Sequence, residues 1–163
     1  MKPANEPTDP GQVTLRAITA DTVRSIIKLS VAPSQEQFVA PNVYSLAQAL
    51  FAPEAWYRAI YLEDEPAGFV MLADDHQLPE PKEKPELWLW RFMVDEKFQG
   101  RGVGSAALRL VIDHARSLGS HKVLSTSYVP GEGSPERLYL RAGFEHTGRM
   151  DEDEIVLDLH LVS

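Results

Sequence analysis

Glycines alternate at positions 100, 102 and 104, directly after the apolar, aromatic run Leu87 to Val94 and directly before the alanine- and leucine-rich run Ser105 to Ile112. Glycine reaches left-handed backbone angles and permits close approach to the main chain, so successive N–H groups can converge on one anion. A helix beginning at this turn adds its own partial positive charge, and Arg101 adds a full one. The chemistry such spacing suits is capture of a phosphate group; a tight turn that simply requires glycine is the competing reading. A P-loop needs Gly-Lys followed by Ser or Thr, and the chain has none. A dinucleotide fingerprint needs an acidic residue at the end of the next strand, where this chain has Ser127-Tyr128.

Other chemistries find less support. His76, His114, His121, His146 and His160 show no His-x-x-x-His spacing, so no metal site is expected. Ser125, Thr126 and Ser127 lie on a predicted strand without a nearby His and acid pairing, which argues against a hydrolase triad. The absence of cysteine excludes disulfides, thiolate ligands and a cysteine nucleophile.

The elements that position the glycine turn follow from periodicity. Val13 to Ile18 alternates as a strand, and Thr19 or Asp21 caps a helix through Leu29. A second helical stretch runs from about Ser34 to Leu50, interrupted near Pro41. Trp56 to Leu62 and Ala67 to Ala73 form a hairpin about Glu63 to Pro66, and Asp74 to Pro85 reads as an exposed loop. The nearly continuous apolar run Leu87 to Val94 is expected to be a strand buried on both faces. A helix from Val103 to about Ser117, a strand from Lys122 to Tyr128 and a helix from Pro135 to Arg141 follow. Ser134 is the expected cap of that last helix and Gly143 its terminator, and strands near Glu145 to Arg149 and Ile155 to Leu161 close the chain. The order β-α-α-β-β-β-α-β-α-β-β implies a mixed sheet with helices on its faces, an α+β or layered α/β domain.

The 163 residues suit one domain, expected over residues 13–163, after a Pro-rich and mobile tail at residues 1–12. A net charge of −8 disfavours nucleic acid and anionic membranes as partners. No signal-peptide pattern is seen at the start, and no run approaches the roughly 20 apolar residues a membrane span needs, so a cytoplasmic location is expected.

The turn Gln99-Gly100-Arg101-Gly102-Val103-Gly104 after a buried strand resembles the Gln/Arg-x-x-Gly-x-Gly/Ala signature of the GNAT superfamily of acetyl-CoA-dependent N-acetyltransferases. A second element of that family, Tyr-x-x-x-Gly-Phe, is matched by Tyr139-Leu140-Arg141-Ala142-Gly143-Phe144, in order and at similar spacing. Within the superfamily, Leu89 to Gly100 and the upstream segments Phe38 to Asn42 and Ser45 to Ala49 look like the bacterial spermine/spermidine acetyltransferase branch.

The resemblance implies a mostly antiparallel, twisted sheet of six to seven strands with about four helices and a splayed pair of central parallel strands. It implies acetyl-CoA as cosubstrate, with no metal. The pantetheine arm would pair with the main chain of Phe92, Met93 and Val94, the pyrophosphate would lie on the amides of Gly100, Arg101, Gly102, Val103 and Gly104, and Gln99 and Ser105 complete the cofactor-binding set. It places Tyr139 as the acid that protonates the departing thiolate. Several members carry a basic glutamate on the strand before the turn; the nearby carboxylate here is Glu86, on one strand face with Trp88 and Trp90. Many members have asparagine before the last helix, where this chain has Glu132.

The implied partner is a small-molecule amine, a polyamine by the branch resemblance, and the family's dimers allow a homodimer. Carboxylates for such a cation come from Glu36, Asp74, Asp75, Glu86 and Asp151 to Glu154, with aromatic faces from Trp56, Trp88 and Trp90. A different amine (peptide or antibiotic), or a non-catalytic acyl-CoA-binding module, remain alternatives.

Overall fold

The structure is a computed structural model describing residues 10–162. Most of the expected tail, residues 1–9, and the final Ser163 lie outside the described residues. The strands are β1 (Val13–Arg16), β2 (Ala55–Leu62), β3 (Glu65–Asp74), β4 (Leu87–Val94), β5 (Val123–Tyr128), β6 (Glu145–Asp151) and β7 (Glu154–His160). The helices are α1 (Val23–Ile27), α2 (Asn42–Ala49), α3 (Val103–Leu118) and α4 (Glu136–Ala142), with a 3-10 segment at Pro33–Phe38. Their order is the one the sequence predicts.

All seven strands form one sheet in the order β1-β2-β3-β4-β5-β7-β6. Its pairs are antiparallel except β4 with β5, which run parallel and meet only at Trp88–Ser125 and Leu89–Thr126. From Trp90 onward β4 leaves β5, opening a wedge toward the C-terminal ends of both strands.

A bulge shapes β4 at the mouth of this wedge. Met71 faces Arg91 while Leu72 faces Leu89, so Trp90 is an extra residue. The bulge reverses the pleat, and Leu87, Leu89, Phe92 and Val94 therefore all pack toward α3, whereas Trp90 and Met93 join the opposite face. On the α3 face, Val103, Ala107, Leu108, Val111, Ile112 and Ala115 recur at helical spacing and are all buried against the sheet. The other face collects Ile26 of α1 with Ala59, Tyr61, Phe69, Met71 and Met93, and Leu46 and Ala49 of α2 border it. No helix among the described residues is long and apolar enough to cross a membrane.

Four local expectations need correction. The first helix spans only Val23–Ile27, because the Thr22 hydroxyl accepts from Thr19 N–H at 2.9 Å and holds the preceding residues as a turn. The stretch from Ser34 to Leu50 is interrupted near Pro41 as expected, where proline offers no N–H to continue a helix, but its first part is a 3-10 segment and only α2 is α-helical. Ser134 does not cap α4; Pro135 occupies the N-cap with no side-chain bond, while Gly143 ends the helix with φ 109° as expected. Asp74 and Asp75 are buried rather than exposed loop residues. Asp74 accepts from His76 N–H at 3.0 Å and shares a 2.7 Å hydrogen bond with His121, and Asp75 accepts from Glu86 N–H and Lys82. These carboxylates fasten the loop to the paired end of β4 and are spent there.

Candidate active site

The wedge widens into a cleft of about 1740 Å³ that crosses the sheet between α3 and α4 on one face and the Pro33–Phe38 segment on the other. Pockets for a single small ligand are typically about 300–1,000 Å³, so this one has room for two molecules meeting in the gap.

At the foot of α3 the glycine turn is built as its residue types predict. Gly100 and Gly102 adopt φ of 73° and 82°, and Gly102 is the helix N-cap. The first main-chain bond inside the helix runs from Ala106 N–H to Gly102 C=O at 3.1 Å. The amides of Val103, Gly104 and Ser105 precede it and have no intrahelical acceptor. A Cβ on Gly100 would meet nothing within 4 Å, so glycine serves the backbone angle there. The surroundings of the turn differ from a simple charge cradle. Arg101 stacks over Phe98 with its guanidinium 5.5 Å from the ring centre and does not line the cleft; Arg109, Arg137 and Arg141 do. Val103 is fully buried and offers only its amide. Gln99 donates from its side chain to Gln35 at 2.8 Å and to Val94 C=O at 2.9 Å, tying the turn to the end of β4.

Phe92, Met93 and Val94 lie on the part of β4 that has no partner on its β5 side. Such an edge presents main-chain donors and acceptors to whatever extended group enters the wedge. Thr126, the last β5 residue paired with β4, donates its hydroxyl to Leu89 C=O at 3.2 Å and pins the apex.

Tyr139 lines the same cleft while only 5 % exposed. Its ring tilts against Phe144 at 5.6 Å between centres, which locks the side chain in mid-helix. Burial pushes its phenol up to about 12, with the Thr126 hydroxyl opposing and the Glu154 charge adding to the rise. The phenol is therefore protonated throughout the physiological range. A consequence for stability follows, because the ordinary phenol value is 10.0. Below pH 10 both folded and unfolded chains keep Tyr139 neutral, whereas between 10 and 12 only the unfolded chain ionises it. Urea melts should show this residue's contribution falling by about 1 kcal/mol at pH 11. Tyr139→Phe should remove that part of the decline; identical pH dependence in both proteins would refute the shift.

Glu86 stands elsewhere. It is exposed at the start of β4, accepts from Trp88 Nε1–H at 3.0 Å, and is not among the cleft-lining residues. Trp56 is also outside the cleft, stacked at 4.0 Å on His114. Trp88 and Trp90 do line it.

Besides Glu54, just before β2, the cleft holds a half-buried carboxylate in Glu154, at the start of β7. Burial chiefly, then the charges of Asp151 and Asp153, raise it above the ordinary glutamate value, while the Ser127 hydroxyl bound to it and Arg91 pull it down. Burial also lowers the Arg91 guanidinium, which donates to Gln48 at 3.0 Å and to Trp90 C=O at 3.1 Å. Reading the sequence for a base on the strand before the glycine turn passes over Glu154. The available signal was alternation: Ile155, Leu157 and Leu159 form an unbroken apolar row along β7, whereas the other row carries Glu154 and Asp158 around Val156, which puts Glu154 on the opposite face.

The sequence model of the Acetyltransferase (GNAT) family matches residues 23–144. The chain is 28% identical over 139 residues, 85% of its length and 91% of the relative's, to a spermine/spermidine N(1)-acetyltransferase of Bacillus subtilis (strain 168). Among solved structures, an acetyltransferase of the GNAT family from Desulfovibrio desulfuricans superposes with a TM-score of 0.68 at 20% identity, covering 93% of this chain and 100% of that one. An aminoglycoside acetyltransferase in complex with coenzyme A gives a TM-score of 0.73 at 16% identity, covering 91% of this chain and 95% of that one.

Proposed function

The chain belongs to the GNAT acetyltransferase family and is an acetyl-CoA-dependent N-acetyltransferase, and from that premise we infer that its acceptor is a primary amine of a small cationic molecule of the polyamine kind. Acetyl-CoA supplies an activated acetyl thioester. The residues present fit it: three helix-start amides without intrahelical acceptors behind a left-handed Gly102, beside an unpaired stretch of β4.

In this reading the amides of Gly102 to Ser105 hold the pyrophosphate, and the main chain of Phe92 to Val94 pairs with the pantetheine amides. Gln99 acts by holding the turn's shape, Gly100 by its angle, and Arg101 by its charge outside the cleft. The Tyr139 hydroxyl holds a proton beside the sulfur as it leaves.

The observation that carries the acceptor class is the composition of the cleft wall. Glu54, Asp151 and Glu154 supply carboxylates there, and Trp88 and Trp90 supply indole faces. Ammonium groups pair with the former, and methylene stems and cations pack on the latter. The net charge of −8 and the name of the Bacillus subtilis relative favour the same class. Aminoglycosides are also polycationic amines, so an antibiotic acceptor is the second reading, favoured by the likeness in fold to the aminoglycoside enzyme.

A thiol-release assay with acetyl-CoA over a panel of polyamines, aminoglycosides and peptides tests the inference. Turnover is expected on polyamines, with kcat/KM at least about tenfold above the other amines, the gain from one additional well-placed charge contact. Turnover confined to aminoglycosides or peptides would overturn the acceptor class, and tight binding of acetyl-CoA without any turnover would mark a binding module.

A further inference from the structure

The gap between β4 and β5 is flanked on its two faces by different titratable groups. Tyr139 reaches it from the α3 and α4 face, packed in the core that includes Phe144, Val103 and Leu108. Glu154 reaches it from the opposite face. Ile155, Leu157 and Leu159 of β7 pack into the α3 core, so alternation turns Glu154, Val156 and Asp158 the other way. Ser127 shares that second face: it pairs with Val156, and two residues earlier Ser125 donates to Asp158 at 2.7 Å. Arg91 lies there too, through its bond to Gln48 of α2. A carbonyl carbon held in the gap therefore has a phenol on one side of the sheet and a carboxylate on the other.

We propose that Glu154 is the group that takes the proton from the incoming ammonium, on the acceptor side of the sheet and across the gap from Tyr139. This rests on the acetyl-transfer reading of the cleft. One N–H bond of the ammonium breaks and an O–H bond forms on Glu154, which passes that proton to solvent. The freed nitrogen pair attacks the acetyl carbon, the C–N bond forms and the C–S bond breaks. The sulfur takes the Tyr139 proton, and the nitrogen's second departing proton restores the phenol.

The surroundings suit the step. An ordinary carboxylate is a weak base toward an ammonium, but burial raises the proton affinity of the one and lowers that of the other, narrowing the gap between them. The groups facing Glu154 are Asp151 and Asp153 from β6 and its turn, Ser127 from β5, Arg91 from β4 and Tyr139 from α4. The two aspartates add to the effect of burial. Ser127 and Arg91 counter it in part.

The test is the pH profile of kcat/KM for the amine across about pH 5 to 10. The wild-type chain should lose activity on an acidic limb lying above the ordinary glutamate range, because Glu154 must be ionised to act. Glu154→Gln should lower kcat/KM by about 10²-fold at neutral pH and abolish that limb, leaving a rate that climbs with the fraction of free amine. Glu154→Asp should recover part of the rate and keep the limb. Both variants should retain wild-type affinity for acetyl-CoA by calorimetry. Wild-type kcat/KM in Glu154→Gln, or an acidic limb that disappears in Glu86→Gln instead, would overturn the assignment while acetyl transfer stands. Failure of the folded wild-type chain to bind acetyl-CoA would overturn the acetyl-transfer reading, and this inference with it.

Discussion

Tyr139→Phe is expected to lower kcat by about 10²- to 10³-fold, the usual cost of losing one well-placed donor to developing charge, with KM for acetyl-CoA nearly unchanged. The asymmetry follows from the position of the side chain. The ring is buried against Phe144 and the α3 core, and phenylalanine fills the same space, so helix α4 and the cleft wall persist. What disappears is a hydroxyl at the apex of the wedge. A phenol near 12 does not surrender its proton outright to a free thiolate, whose ordinary value is about 8.5. In the proposed role it donates a hydrogen bond that strengthens as charge grows on the sulfur, and transfers the proton only as the nitrogen's proton replaces it. The interaction belongs to the transition state and not to the bound ground state, so the loss falls on kcat. Steady-state kinetics with saturating amine decide it, and an unchanged kcat would remove Tyr139 from the mechanism.

The second large effect concerns the helix start. Gly102 has φ 82°, a region that asparagine and aspartate tolerate better than other side-chain-bearing residues. Gly102→Asn and Gly102→Asp therefore impose similar backbone strain and similar bulk, and differ by one negative charge. At about 5 Å and an effective dielectric near 20, that charge repels each unit of anion by about 3 kcal/mol. Gly102→Asp should weaken acetyl-CoA binding by about 10²-fold more than Gly102→Asn does, a difference that shrinks as salt is added. Calorimetry on both variants, with melting temperatures to confirm folding, measures it. Equal affinities would show that no phosphate sits on the amides of Gly102 to Ser105.

The glycine turn and the Tyr-x-x-x-Gly-Phe segment were legible because each is a local device. The left-handed angles at Gly100, Gly102 and Gly143 are demands made on single residues, and only glycine meets them cheaply. The order of elements was legible for a similar reason, since the period of apolar residues is a property of one segment at a time. Short pieces were less so: the Pro33–Phe38 segment and five-residue α1 are too brief for periodicity to separate from a longer helix. Asp74 and Asp75 look like any pair of loop acids until the fold of the loop brings Lys82 and Glu86 back to Asp75 and the sheet brings His121, 47 residues away, to Asp74.

The sequence by itself determined where the left-handed glycines open helix α3, which phenol stands in mid-helix and how strands and helices alternate, because backbone angle and side-chain period act over a few residues. Only the tertiary structure decided that β4 and β5 part after Leu89, that the bulge at Trp90 turns Phe92 and Val94 toward α3, and that Glu154 meets Tyr139 across the opening. Those outcomes depend on register between strands far apart in the chain and on which carboxylates are taken from water. Burial and pairing of that kind are set by the whole sheet, and no single segment carries them.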